Sequence, residues 1–148
     1  MWSRIAGVAV AGAALFLAGC DPGRHSAAGF RLADGDAARG KQAFLDLQCY
    51  QCHEVAGTDL PKPAVQPPVP VQLGGTIARE KTDGYLATAI LNPSHAIAGY
   101  PKEMVMVNNQ SRMPDNSDKI TLRQLSDLVA FLQSTYVVRP PQMNRFAY

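Results

Sequence analysis

The densest chemistry in this chain lies in one run, Cys49-Tyr50-Gln51-Cys52-His53. Two thiols three positions apart sit about one helical turn from each other, and the next side chain is an imidazole. This C-x-x-C-H spacing matches the two vinyl groups on one edge of a haem. Each thiol can add across a vinyl to form a thioether, and His53 can take the iron as proximal ligand. A zinc ribbon would need a second cysteine pair or more histidines. A thioredoxin-type redox pair would need a surrounding βαβ pattern, and the flanking sequence has none. A Cys49–Cys52 disulfide stays chemically open. The expected cofactor is one covalently attached haem c with its iron.

The elements that must position this run belong to a short chain. It has 148 residues, with 14 Lys+Arg against 12 Asp+Glu and three cysteines. That length suits one domain, and 47% hydrophobic with 18% charged residues is ordinary for a globular protein. A net charge of +2 without a basic run argues against a nucleic-acid partner. An odd cysteine count excludes complete internal pairing and leaves Cys20 to be explained. Arg4 precedes an uncharged stretch from Ile5 to Gly19, too short for a spanning helix of ~20 residues and suited to an export signal. Leu17-Ala18-Gly19-Cys20 resembles the lipobox of bacterial lipoproteins. The resemblance implies removal of residues 1–19, lipidation of Cys20 and a membrane anchor made of acyl chains. Asp21 then favours the inner membrane, by analogy with enterobacterial sorting. Residues 20–34, with Pro22, Gly23 and Gly29, lack apolar periodicity and are expected to form a flexible tether.

From Asp36 to Val138 the sequence resembles a class I cytochrome c domain of the monohaem, His/Met type. Gly40-Lys41-x-x-Phe44 before Cys49-x-x-Cys52-His53 matches the opening helix and haem motif, Met113-Pro114 the methionine-ligand motif, and Leu125 to Leu132 the closing helix. The resemblance implies an all-α fold over residues 35–138, three to four helices and long loops wrapped around one haem. Residues 139–148 form a C-terminal extension. The residue pattern agrees. Ala37, Gly40, Phe44 and Leu47 recur at helical spacing, with Asp34 or Asp36 as cap. So do Leu122, Leu125, Val129 and Leu132 behind Thr121. A third helix is expected over Asp83 to Leu91, stopped by Asn92-Pro93. No run alternates as a strand would. In the family the first and last helices cross where a small residue admits an aromatic. Gly40 and Phe131 fit that role, with Phe44 nearby.

Pro61, Pro63, Pro67, Pro68 and Pro70 make a loop between motif and third helix. The family orients its proximal histidine through a carbonyl in this region, which places the acceptor for His53 near Pro68 or Pro70. For the opposite face of the iron, Met104, Met106 and Met113 compete with His95. His25 falls in the tether. Met113 sits in a polar, turn-rich stretch before Pro114, whereas Met104 and Met106 lie beside Val105 and Val107 and suit apolar packing. Met113 is the expected sixth ligand, and with His53 it closes both faces of the iron. The expected activity is one-electron transfer between respiratory or periplasmic redox proteins, with no catalytic residue. The alternatives are a cytochrome subunit held in an oxidoreductase complex, and a ligand sensor whose methionine is displaceable.

Overall fold

The structure is a computed structural model, and it describes residues 30–64, 67, 69, 71–95 and 99–139. Residues 1–19, where a leader is expected, lie outside the described residues, as do Cys20, His25 and residues 140–148. The chain divides into two units, Met1–Phe30 and Arg31–Tyr148, and the second is described here.

Helix α1, Ala37–Asp46, starts where Asp36 takes extended backbone and its carboxylate accepts the Arg39 N–H at 2.8 Å. Asp36, not Asp34, is therefore the cap. Gly40, Ala43 and Phe44 form its buried stripe. Helix α4, Leu122–Thr135, opens with a reciprocal capping box between Thr121 and Gln124. Its buried stripe is Leu125, Leu128, Val129, Phe131 and Leu132. Leu122 shares the heptad-like spacing but is 69% exposed, because it stands at the edge of the stripe in the first turn. The two helices make the largest interface of the described fold. A Cβ on Gly40 would run into the Asp127 carbonyl and lie 2.7 Å from Phe131 Cβ. Phe44 and Phe131 meet edge to face with centroids 5.6 Å apart, a favoured aromatic geometry. The expected crossing of glycine and aromatic is present.

Asp127 was legible only as one residue of the closing helix, yet it ties the crossing together. Its side chain is buried, 3% exposed. It accepts the Asp36 N–H at 2.7 Å, Arg39 Nε at 2.9 Å and Arg39 Nη2 at 3.0 Å. The first turn of α1 is thereby pinned to the middle of α4. The Arg39 guanidinium and the Asp36 amide hold this carboxyl below the usual carboxylate range. Its stabilising effect is then complete above the ordinary carboxylate pKa of ~3.9 and is lost as pH falls through the lower folded value. Asp127→Asn, which turns a donor toward Arg39, is expected to melt several degrees lower than wild type at pH 5–7. Below about pH 4 the gap should narrow. Thermal melts across pH check this, and a gap that persists undiminished at pH 2–3 would contradict the assignment.

Helix α2, Asp83–Leu91, has the expected boundaries. Thr82 caps it, accepting Tyr85 N–H at 3.2 Å, and Leu86, Ala87 and Ile90 are buried. It packs on α4, where Gln133 Nε2 donates to the Lys81 carbonyl and to Asp83 Oδ1 at 2.6 and 2.9 Å. Helix α3, Lys102–Val105, is a single turn. The described residues hold four helices joined by long connections, the number and arrangement expected. The expectation of no strands needs correction. β1 (His53–Val55) pairs in parallel with β2 (Val71–Leu73), and β3 (Gly75–Ile77) with β6 (Tyr136–Val138). β4 (Met106–Val107) and β5 (Gln110–Ser111) form a hairpin. Two or three residues are too few to show a period of two, which is why the pattern was invisible. Asn108 and Asn109, with φ of 50° and 63°, make the hairpin's two-residue turn, the backbone such turns require.

Candidate haem site

After α1 the chain reverses through Gln48, in the left-handed region at φ 56°, and enters a 3₁₀ turn over Cys49–Gln51. Gln51 N–H bonds to the Gln48 carbonyl at 3.0 Å and Cys52 N–H to the Cys49 carbonyl at 3.2 Å. The turn places the two cysteines one coil apart, and neither is in a disulfide. They differ in setting. Cys49 is half-buried against the core, and burial pushes its thiol up to about 11, so it is protonated at neutral pH. Cys52 is exposed.

His53 begins β1. Its Nδ1 lies 3.3 Å from the Val71 carbonyl, and a carbonyl can only accept, so the proton sits on Nδ1 and the Nε2 lone pair is left for a metal. The parallel register sets His53 opposite Val71, and Val71 N–H returns a 3.1 Å bond to the Cys52 carbonyl. The segment after the proline loop thus grips the peptide on both sides of the histidine. Val71, one residue beyond Pro70, is the acceptor; Pro68 and Pro70 fall outside the described residues. Register in so short a ladder has no sequence signature, which explains the small displacement. The ring is half-buried, and desolvation lowers its pKa more than the Val71 carbonyl raises it. A neutral imidazole is the form that ligates.

Gln51 adds a contact that its sequence position did not announce. Its Oε1 accepts the Ala64 N–H at 3.2 Å, holding the start of the proline loop beside the cysteines. Met113 lies on a separate loop after β5, half-buried, with its N–H on Ser111 Oγ at 3.1 Å. Met104 is 42% exposed on α3, Met106 is half-buried on β4, and His95 is exposed in the turn after α2. The structure thus joins Cys49, Cys52 and His53 on one turn and strand, and carries Met113 on a different element. Among the described residues no three His, Cys, Asp or Glu side chains group as a metal cluster. The donor set fits haem: two free thiols one turn apart, then an imidazole whose far nitrogen is uncommitted.

The family model described as Cytochrome c matches residues 37–136. Comparison with curated proteins and with solved structures returned no significant match. The matched span covers most of the chain, from the first residue of α1 to the first residue of β6, and contains the thiol pair and its histidine. The chain belongs to the cytochrome c family, electron carriers that hold an iron-containing haem c covalently.

Proposed function

We propose that the mature protein is a lipid-tethered monohaem carrier that passes single electrons between redox proteins of the bacterial envelope. In this reading Cys49 and Cys52 hold the haem by thioethers, each S–H adding across a vinyl. His53 Nε2 and the Met113 thioether would hold its iron. When bound, the haem supplies one reversible electron at iron. The protein's part is to fix its ligands and set the potential. Val71 orients His53 and makes its Nε2 more basic. A soft thioether from Met113 would favour ferrous iron. The observation that carries the reading is the His53 Nδ1 bond to Val71, which leaves the opposite nitrogen for iron.

Cys20, outside the described residues, is the proposed lipid attachment point, and the carrier faces the periplasm from the inner membrane. A tether confines the domain to membrane-bound donors and acceptors and raises their effective concentration. Among the described residues no helix is long and apolar enough to cross a membrane. Fractionation of cells producing Cys20→Ser tests the anchor. The variant should leave the membrane pellet for the soluble envelope fraction with the same haem bound after denaturing electrophoresis. Continued membrane association after a high-salt wash would overturn the anchor, and release of haem from the wild-type chain on denaturation would overturn the thioethers.

A further inference from the structure

We propose that Ser94 and Ser111 are positioning residues for Met113, two hydroxyls in series that tie the methionine loop to the helical core. The proposal deepens the axial role of Met113 and rests on it. Ser111 Oγ accepts the Met113 N–H at 3.1 Å, a serine turn closing over two residues. On the other side Pro114 restricts Met113 to extended backbone. The ligand's main chain is thus held from both directions. Ser111 is anchored in turn. It lies opposite Met106 in the β4–β5 hairpin, and its N–H donates to Ser94 Oγ at 3.1 Å across 17 residues. Arg112 N–H closes the base of the hairpin on the Val105 carbonyl at 2.8 Å.

Ser94 stands just past the end of α2, behind the buried Pro93, and α2 packs on α4. The path therefore runs from the core through α2, Ser94 and Ser111 to the Met113 backbone. A thioether is a weak neutral ligand. Its hold on iron depends on how much loop freedom must be surrendered to bring it there, since each newly ordered residue costs conformational entropy. Two hydroxyl contacts that fix the loop in advance lower that cost. Neither is needed to close the α1–α4 crossing, so removing them should loosen the ligand before it loosens the fold.

The test uses ferric holoprotein titrated with imidazole, which competes with Met113 for iron. Losing one hydrogen bond on this path should tighten apparent imidazole binding roughly three- to tenfold in Ser111→Ala. The thioether-to-iron charge-transfer band should weaken and the potential should fall. Ser111→Thr, which keeps the hydroxyl, should restore all three. Ser94→Ala should act in the same direction, with a smaller effect once Ser111 is alanine. Thermal melts run in parallel: a lower melting temperature with unchanged imidazole affinity means a merely structural role and overturns the proposal. Met113→Ala separates the two levels. If it abolishes the band while Ser111→Ala matches wild type in band, potential and imidazole affinity, the relay is wrong and ligation stands. If the band survives in Met113→Ala, ligation falls and the relay with it.

Discussion

Met113→Ala is expected to convert a closed haem into an open one. On the ligation proposed above, alanine has no donor atom, so His53 would be left as the one protein ligand and a position on iron would open to water or a diatomic gas. The thioether-to-ferric-iron band should disappear. The ferrous protein should bind carbon monoxide readily, whereas the wild type should resist it. Water favours ferric iron where sulfur favours ferrous iron, so the potential should also drop. A hundredfold shift in the relative stability of the two oxidation states corresponds to ~120 mV for a one-electron couple. Met104 and Met106 supply the internal controls. Met104 is largely exposed on a one-turn helix and Met106 is paired in β4, and alanine at either should leave the band in place. The assignment is wrong if carbon monoxide binds the unmodified ferrous protein as fast as the variant. An intact band in Met113→Ala would be equally decisive.

How far the sequence revealed this arrangement depended on the range over which each feature is encoded. The thiol pair and its histidine are five consecutive residues, and a local chemical pattern survives any tertiary context. Gly40, Phe44 and Phe131 were also readable, through the resemblance to a family whose first and last helices cross at a small residue and an aromatic. The caps Asp36, one of two aspartates offered, and Thr121 were readable because capping is short-range hydrogen bonding. What escaped was long-range and low in period. Asp127 joins Asp36 and Arg39 across about ninety residues, and an aspartate in a helix looks like a solvated surface residue until its partner is known. The one warning was its place between Ser126 and Leu128, inside the apolar stripe. Val71 as the His53 acceptor depends on a three-residue ladder whose register nothing local specifies. Ser94 and Ser111 lie seventeen residues apart on either side of α3. Asn108-Asn109 was visible as a turn, but its hairpin needed the pairing of Met106 with Ser111.

Gly40→Ala should be severely destabilising, against the direction that helix propensity alone gives. Inside a helix, alanine is favoured over glycine by ~1 kcal/mol, and Gly40 is not among the positive-φ glycines, so its backbone poses no obstacle. The obstacle is α4. The new methyl would meet the Asp127 carbonyl and Phe131 Cβ, and the first of these is main chain that cannot turn aside. Separating the helices would relieve the clash. It would also pull Asp127 from the Asp36 amide and Arg39, and open the Phe44–Phe131 contact. Overpacking of this kind costs about 3 kcal/mol or more when backbone must shift, a large share of the ~5–15 kcal/mol available to a domain. Gly84 provides the opposite case within the same molecule. It lies in α2, and a Cβ there meets nothing within 4 Å among the described residues. Gly84→Ala should therefore be neutral or stabilising, by up to ~1 kcal/mol. Denaturant unfolding of both holoproteins, followed by circular dichroism, gives the comparison directly. Midpoints moving in opposite directions tie the cost at Gly40 to contact with α4. Equal midpoints would mean that the helices do not approach as closely as the Gly40 and Asp127 backbones require.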